Sequence, residues 1–405
     1  MSNPRIKRIL FLLRTYNDID HFAPIMWKAA SCNWPTYFVF IDKDYSDDYR
    51  IRYVIENGGV KLNPICIQWY CLNIRERLRF QVLKKIFDRI VAYLPGVFFL
   101  WVNRIEVVAT EWTGHFGRVR SEYFLRPAKL LQLPTFSLPH GYFLWRNSNF
   151  NKTIETQLDT TGEFPDFSNR NWFHRYVVQS KEHKDENVKY RMDPKKIVVL
   201  GSARFCLEWS RINDQLLARD QKPLRPANYS ALFFLPHWDY QVSRESCISL
   251  LEKIAQQQNI TLYIKAHTRG TGALENDEKA RLRKCGSVEF PGEAEHSPRL
   301  IKQSDIVINF GSSIAFEALR QRKPVINPHY LHKNSTFFDE SGAVFDTASE
   351  VQTLELIQGI RSGTIEKKEN QVIEKFLQER VDGGEEGCDV LQSYLNLFLQ
   401  DKDGQ

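Results

Sequence analysis

Short apolar runs separated by helix-length amphipathic segments recur along the whole chain. Ile9–Leu13, Thr36–Ile41, Val97–Trp101 and Val107–Thr110 read as buried strands in the first half. Tyr176–Gln179, Ile197–Leu200, Ala231–Leu235, Leu262–Lys265, Ile306–Phe310 and Pro324–Asn327 read the same way in the second. Helical periodicity falls between the later runs, over Glu245–Gln258, Ala280–Lys284, Pro298–Gln303 and Ser313–Arg320. Continuous apolar strands alternating with helices predict α/β architecture with parallel sheets covered on both faces. The stretch from Asn147 to Asn171 is polar and aperiodic, which predicts a long loop or a partly ordered lid, in either case functional. We therefore expect an N-terminal domain over 1–172, a second domain over 173–371, and a C-terminal helix (Val372–Leu399) within 372–405 that packs back on the domains.

Composition narrows the class. The 405 residues carry 55 Lys+Arg against 49 Asp+Glu, a net charge of +6, with 42% hydrophobic and 13% aromatic residues. This is a globular profile with ample core, and the charge is too mild for a dedicated nucleic-acid binder. The cysteines Cys32, Cys66, Cys71, Cys206, Cys247, Cys285 and Cys388 are odd in number and lack ligand spacing, so neither a disulfide framework nor a structural metal site is expected. The N-terminal apolar run stops at Arg14 and reads as a strand rather than a signal peptide. The run from Ile90 to Val102 is too short to span a bilayer. A cytoplasmic location, with peripheral contact at the inner face of the membrane, is the expectation.

One segment is more specific. In Ser304-Asp305-Ile306-Val307-Ile308-Asn309-Phe310-Gly311-Ser312-Ser313-Ile314-Ala315-Phe316-Glu317-Ala318-Leu319 a buried strand ends in a Gly-Ser-Ser turn and enters a helix directly. Gly311 permits close approach of a ligand, Ser312 or Ser313 can cap the helix, and the free amides favour a phosphate. Glu317, one turn in, can accept hydrogen bonds from a ribose. Pro324-Val325-Ile326 completes a βαβ unit.

This segment resembles the donor-binding half of GT-B glycosyltransferases, in the pattern that runs from Ser304-Asp305 through Gly311-Ser312-Ser313 and Glu317-Ala318-Leu319 to Lys323-Pro324-Val325-Ile326. Tyr263-Ile264-Lys265-Ala266-His267-Thr268-Arg269 is similar to a strand end of bacterial surface-polysaccharide transferases, with Thr268 where proline is usual. These include the CDP-glycerol polymerases and the capsule and O-antigen Kdo transferases. The resemblance covers mainly Val177 to His329. It implies two Rossmann-like domains facing across a cleft, and a reaction needing no metal or other cofactor.

Three histidines end apolar runs: His140 in Leu138-Pro139-His140, His237 in Leu235-Pro236-His237, and His267. Ligands of open parallel sheets bind outside the carboxyl ends of strands, so this position marks candidates. Asp239, beside His237, is the leading carboxylate. It could be a nucleophile forming a glycosyl-enzyme or a base for the acceptor, or it could form an Asx turn. Glu111 and His115 lie on the first domain's rim, and Glu163 and Asp166 in the polar loop. Lys265, Arg269 and Arg204, the last preceded by Gly201-Ser202, end strands where an anionic donor sits. Arg75, Arg77, Arg79, Lys84, Lys85 and Arg89 form a basic amphipathic segment. It suits either an anionic membrane or an ordinary surface helix.

Together with the resemblance, these residues imply transfer of Kdo from CMP-Kdo to a lipid-linked glycan acceptor. Asp239, His237, Glu163 and Glu111 are the catalytic candidates. Lys265, His267, Arg269, Gly311, Ser312, Ser313, Glu317, Arg204 and Ser202 would bind the donor, and His140 and His115 the acceptor. A CDP-glycerol-type phosphotransferase, a nucleotide-sugar epimerase and a non-catalytic nucleotide- or glycan-binding scaffold are the alternatives.

Overall fold

The structure, a computed structural model, describes residues 6–63, 77–86, 93–112, 119–146, 152–163, 165–218, 228–266, 272–292 and 295–400. It divides into two units. The first comprises Met1–Tyr142, Asp166–Trp209 and Glu379–Gln405, and the second Phe143–Pro165 and Ser210–Gln378.

The first unit is built on a parallel sheet of β1 (Ile9–Leu13), β2 (Thr36–Phe40), β3 (Val60–Lys61), β4 (Val107–Glu111), β5 (Thr135–Leu138), β6 (Arg175–Val178) and β7 (Ile197–Val199). Its order is β3-β2-β1-β4-β5-β6-β7. Ile9 pairs with Thr36 on one side and with Val107 on the other, so β1 is central. Leu10, Leu12, Val39, Val108, Phe124 and Phe173 form its core; each such side chain contributes roughly 1.5–3 kcal/mol by leaving water.

The second unit's sheet contains β8 (Tyr229–Phe234), β9 (Ile260–Lys265), β10 (Ser287–Glu289), β11 (Ile306–Ile308), β12 (Val325–Asn327) and β13 (Phe345–Asp346). Its order is β10-β9-β8-β11-β12-β13, and its ladders are also parallel. Phe233, Leu262, Ile264, Ile306, Ile308 and Ile326 fill its core. Both sheets run outward from a central strand in two directions. Each therefore has a topological switch point, between β1 and β4 and between β8 and β11, where the carboxyl ends leave a crevice. The two parallel-sheet units are Rossmann-like.

Four expectations are corrected. Val97–Trp101 is not a strand but part of a helix, Tyr93–Val102. An apolar run has no period to separate strand from helix; here Pro95 sits in the first turn, where its missing N–H is tolerated. The polar stretch after Asn147 contains a helix, Lys152–Thr161, and a 3-10 turn, Ser168–Trp172. The boundary expected at 172 is overrun: β6 and β7 pair with β5 and with each other, extending the first sheet. Finally, the C-terminal helix is two helices, Asn370–Arg380 and Val390–Leu399, interrupted by Gly383, Gly384 and Gly387 at positive φ. Among the described residues no helix is long and apolar enough to cross a membrane.

Candidate functional site

In the first unit the switch point is occupied by an ionic cluster. β1 runs directly into Arg14, and β4 ends on Glu111, so the two side chains meet where the strands diverge. Glu111 is 1% exposed and accepts hydrogen bonds from Arg14 Nε and, at 3.2 Å, from Nη2. His140, two residues past β5, places Nδ1 3.4 Å from Glu111 Oε2. Arg14 is fixed in turn by its backbone: its N–H and that of Thr15 donate to Asp18 Oδ2 at 2.7 and 2.8 Å, closing the first turn of helix Tyr16–Ser31. Burial, reinforced by the negative charge of Asp18, outweighs Arg14 and pushes the Glu111 carboxyl up from 4.5 to about 7. Burial also raises Asp18.

Around this cluster, Trp112 stacks on Tyr176 (6.0 Å) and presents an edge to His140 (6.2 Å). His21 is buried against Phe205, and its Nδ1 has no hydrogen-bond partner among the described residues. Burial, with Arg204 nearby, drives its pKa well down, so it is neutral. Arg204 pairs with Asp20 at 2.8 Å.

The second unit's switch point is aromatic. His237 follows β8, stacks on Tyr240 (4.6 Å), and lies 3.6 Å by Nδ1 from Asp239 Oδ2. After β11, Asn309 Nδ2 donates to the Ser312 carbonyl at 2.8 Å and holds the turn; its Oδ1, on a residue 1% exposed, has no partner among the described residues. Gly311 has φ +67°, a conformation that side chains other than glycine resist. A methyl there would lie 2.8 Å from Trp145 Cη2, so the indole rests directly on the turn. Trp145 reaches it because residues 144–146 pair with 335–337: Arg146 N–H donates to the Ser335 carbonyl (2.8 Å), and Phe337 N–H to that of Leu144 (3.0 Å). Tyr240 and His332 flank the same indole, and His332 stacks on Phe310. Burial lowers His332 to about 4 and keeps it uncharged.

The structure therefore brings together Glu111 and His140 in one unit, and His237 and Asp239 near the Gly311-Ser312-Ser313 turn's aromatic cover in the other. Asp239 lies in the turn after β8 with its side chain 64% exposed. Glu163 is exposed at the end of the Lys152–Thr161 helix. Glu317 is buried in the helix Ile314–Arg320. Lys265 is buried and donates to the Gly292 carbonyl. Ser202 and Arg204 are a correction: they belong to the first unit, where Ser202 N–H donates to Val381 and Ser202 Oγ receives Gln179 Nε2. The strand before them, β7, pairs with β6 and extends the first sheet, not the second. His115, His267 and Arg269 lie outside the described residues, as do Cys66 and Cys71. The remaining cysteines are free thiols, and among the described residues no group could hold a metal ion. Arg14, Asp18, His21, Asn309 and Trp145 were not anticipated. Arg14 ends an apolar strand just as His140 does, and that signal was available.

No protein-family profile and no curated protein sequence matches the chain. Solved structures do. The UDP-GlcNAc 2-epimerase of Neisseria meningitidis, bound to UDP-GlcNAc, is similar over 97% of this chain and 100% of its own, with TM-score 0.58 and 11% identity. The UDP-GlcNAc 2-epimerase of Methanocaldococcus jannaschii is similar over 92% and 98%, with TM-score 0.52 and 12% identity. HepE of Anabaena, in complex with UDP-glucose, is similar over 97% and 99%, with TM-score 0.55 and 12% identity. These likenesses and the two parallel sheets define the class: the chain has the GT-B fold.

Proposed function

We propose that the chain is an enzyme acting on a nucleotide-activated sugar, with Glu111 as its acid–base group. The observation that carries this is the buried Arg14–Glu111–His140 cluster at the first sheet's switch point. A carboxyl near neutrality exchanges a proton with substrate at physiological pH, which an ordinary surface carboxylate does poorly. Arg14 orients it and steadies its ionised form, and His140 is within reach to pass the proton on. In the second unit Gly311, Ser312 and Ser313 would hold the nucleotide's phosphate and Glu317 its ribose. The leaving group's charge would be met by backbone amides and Lys265, without metal or organic cofactor.

Epimerisation of a UDP-sugar is the reading the structural neighbours favour: the two UDP-GlcNAc 2-epimerases share the fold over 97% and 92% of the chain. Glu111 would then remove or return a proton on the sugar. A second reading, transfer of Kdo from CMP-Kdo to a lipid-linked glycan, rests on the Lys265-Ala266-His267 strand end. There Glu111 would deprotonate the acceptor hydroxyl, or Asp239 would attack the anomeric carbon.

Proton NMR of the protein with UDP-GlcNAc in deuterated water, and with CMP-Kdo plus a synthetic acceptor, separates them. Deuterium incorporation at the sugar supports epimerisation; release of CMP supports transfer. Nucleotide binding with neither reaction leaves a scaffold and overturns the proposal. In Asp239→Asn, full activity removes Asp239 as nucleophile, whereas lost turnover with intact nucleotide binding supports it.

A further inference from the structure

The helix Tyr93–Val102 buries Gly96, Phe99 and Leu100 but turns its other face outward. Leu94, Phe98 and Trp101, at i, i+4 and i+7, are 64, 61 and 69% exposed, and Val102 is 51% exposed beside them. Phe98 and Trp101 touch each other (6.4 Å) rather than the core. The preceding helix, Gln81–Ile86, and its approach expose Phe80, Val82 and Leu83 as well. The gap between these helices is seven peptide steps, which holds their facing ends within about 25 Å of each other. A monomeric protein rarely exposes this much large apolar surface without using it.

The charge of this stretch of sequence is one-sided. From residue 77 to 104 the sequence holds Arg77, Arg79, Lys84, Lys85, Arg89 and Arg104 against the single acid Asp88. Arg77, Arg79 and Arg104 are exposed. Exposed aromatic and aliphatic side chains in a stretch of chain this rich in cations match the two layers of a bilayer surface: acyl chains under anionic headgroups. A second copy fits worse, because a twofold contact would set the same cations against each other. At ten residues the helix covers about 15 Å, half a hydrocarbon core, so it lies on a membrane rather than crossing it.

We infer that the face formed by Leu94, Phe98, Trp101 and Val102, with the exposed Arg104 that follows it and the exposed stretch from Arg77 and Arg79 to Leu83, docks the protein on anionic lipid bilayers. This does not depend on which sugar reaction the protein performs.

The test is flotation of the full-length protein with phosphatidylcholine vesicles and with vesicles also containing phosphatidylglycerol. We expect binding to the anionic vesicles at low salt and release at high salt. Arg77→Gln/Arg79→Gln/Arg104→Gln should weaken it on the order of 100-fold, at about fivefold per charge. Phe98→Ser/Trp101→Ser should weaken it at least comparably. Both sets lie on exposed positions, and unchanged thermal melting verifies the fold. No binding to anionic vesicles at low salt overturns the inference. So does undiminished binding by both variants, or a dimer in sedimentation that Phe98→Ser/Trp101→Ser dissolves.

Discussion

Glu111 is the residue whose chemistry is most constrained by its surroundings. Glu111→Gln keeps the shape and one of the two hydrogen bonds from Arg14 but removes the proton-exchanging group. Turnover should fall by roughly 10²–10⁴-fold while nucleotide affinity stays within a factor of about two, measured by steady-state kinetics and calorimetry. If the ionised form is the base, the wild-type rate climbs as pH passes about 7, and the variant lacks that limb. Stability runs the other way. Between pH 4.5 and about 7 the folded protein retains a proton that the unfolded chain has released, so stability declines as pH rises through that window. The whole effect is on the order of 3 kcal/mol. Melting of the wild type between pH 4.5 and 8 should show this slope, and Glu111→Gln should flatten it. Glu111 and His140 were legible because each terminates an apolar strand. Burial was not: the same strand-end rule selected Asp239, which the turn after β8 leaves mostly in solvent. Arg14 is hidden in the sequence because it closes a hydrophobic run, and only the fold turns that end into the start of a site.

At the scale of elements, two glycines allow contacts that a side chain would block. Gly311→Ala combines a positive φ, costing ~1–2 kcal/mol, with a methyl 2.8 Å from Trp145, costing ~1–3 kcal/mol by overpacking. A double-mutant cycle with Trp145→Ala separates them: in the Trp145→Ala background only the backbone part should remain in urea denaturation. Nucleotide binding should weaken in Gly311→Ala whichever part dominates. Gly96 marks the close approach of helices Tyr93–Val102 and Val119–Leu130; a methyl would collide with the Tyr123 carbonyl. Gly96→Ala should cost at least ~1–3 kcal/mol, because backbone cannot yield as a side chain tip does. The Gly-Ser-Ser turn was visible in sequence as strand, turn and helix in order. Trp145 was not: it reaches Gly311 through antiparallel pairing of 144–146 with 335–337, a register nearly two hundred residues apart in the chain.

The whole molecule does not follow chain order. Strand-and-helix rhythm made the α/β class legible, but it repeats without a break across both units, so it could not show that β6 and β7 extend the first sheet. Nor could it show that the chain's last segment returns to that sheet. Helix Val390–Leu399 is held there by Phe398, fully buried, with its ring 5.1 Å from Phe136 on β5 and 6.0 Å from Phe11 on β1. It therefore behaves as core of the first unit rather than as a tail. Phe398→Ala should cost about 3–5 kcal/mol, the range for emptying a buried aromatic site. The loss should also be local. Hydrogen exchange should accelerate in β1, β4 and β5, whose backbone protection depends on this packing, while β8, β9 and β11 stay protected in their own core. Removing residues 379–405 altogether should abolish protection of the first sheet and leave that of the second. Equal acceleration in both sheets on Phe398→Ala would mean that the two cores open as one cooperative unit and that the division of the chain into separately stabilised halves is wrong.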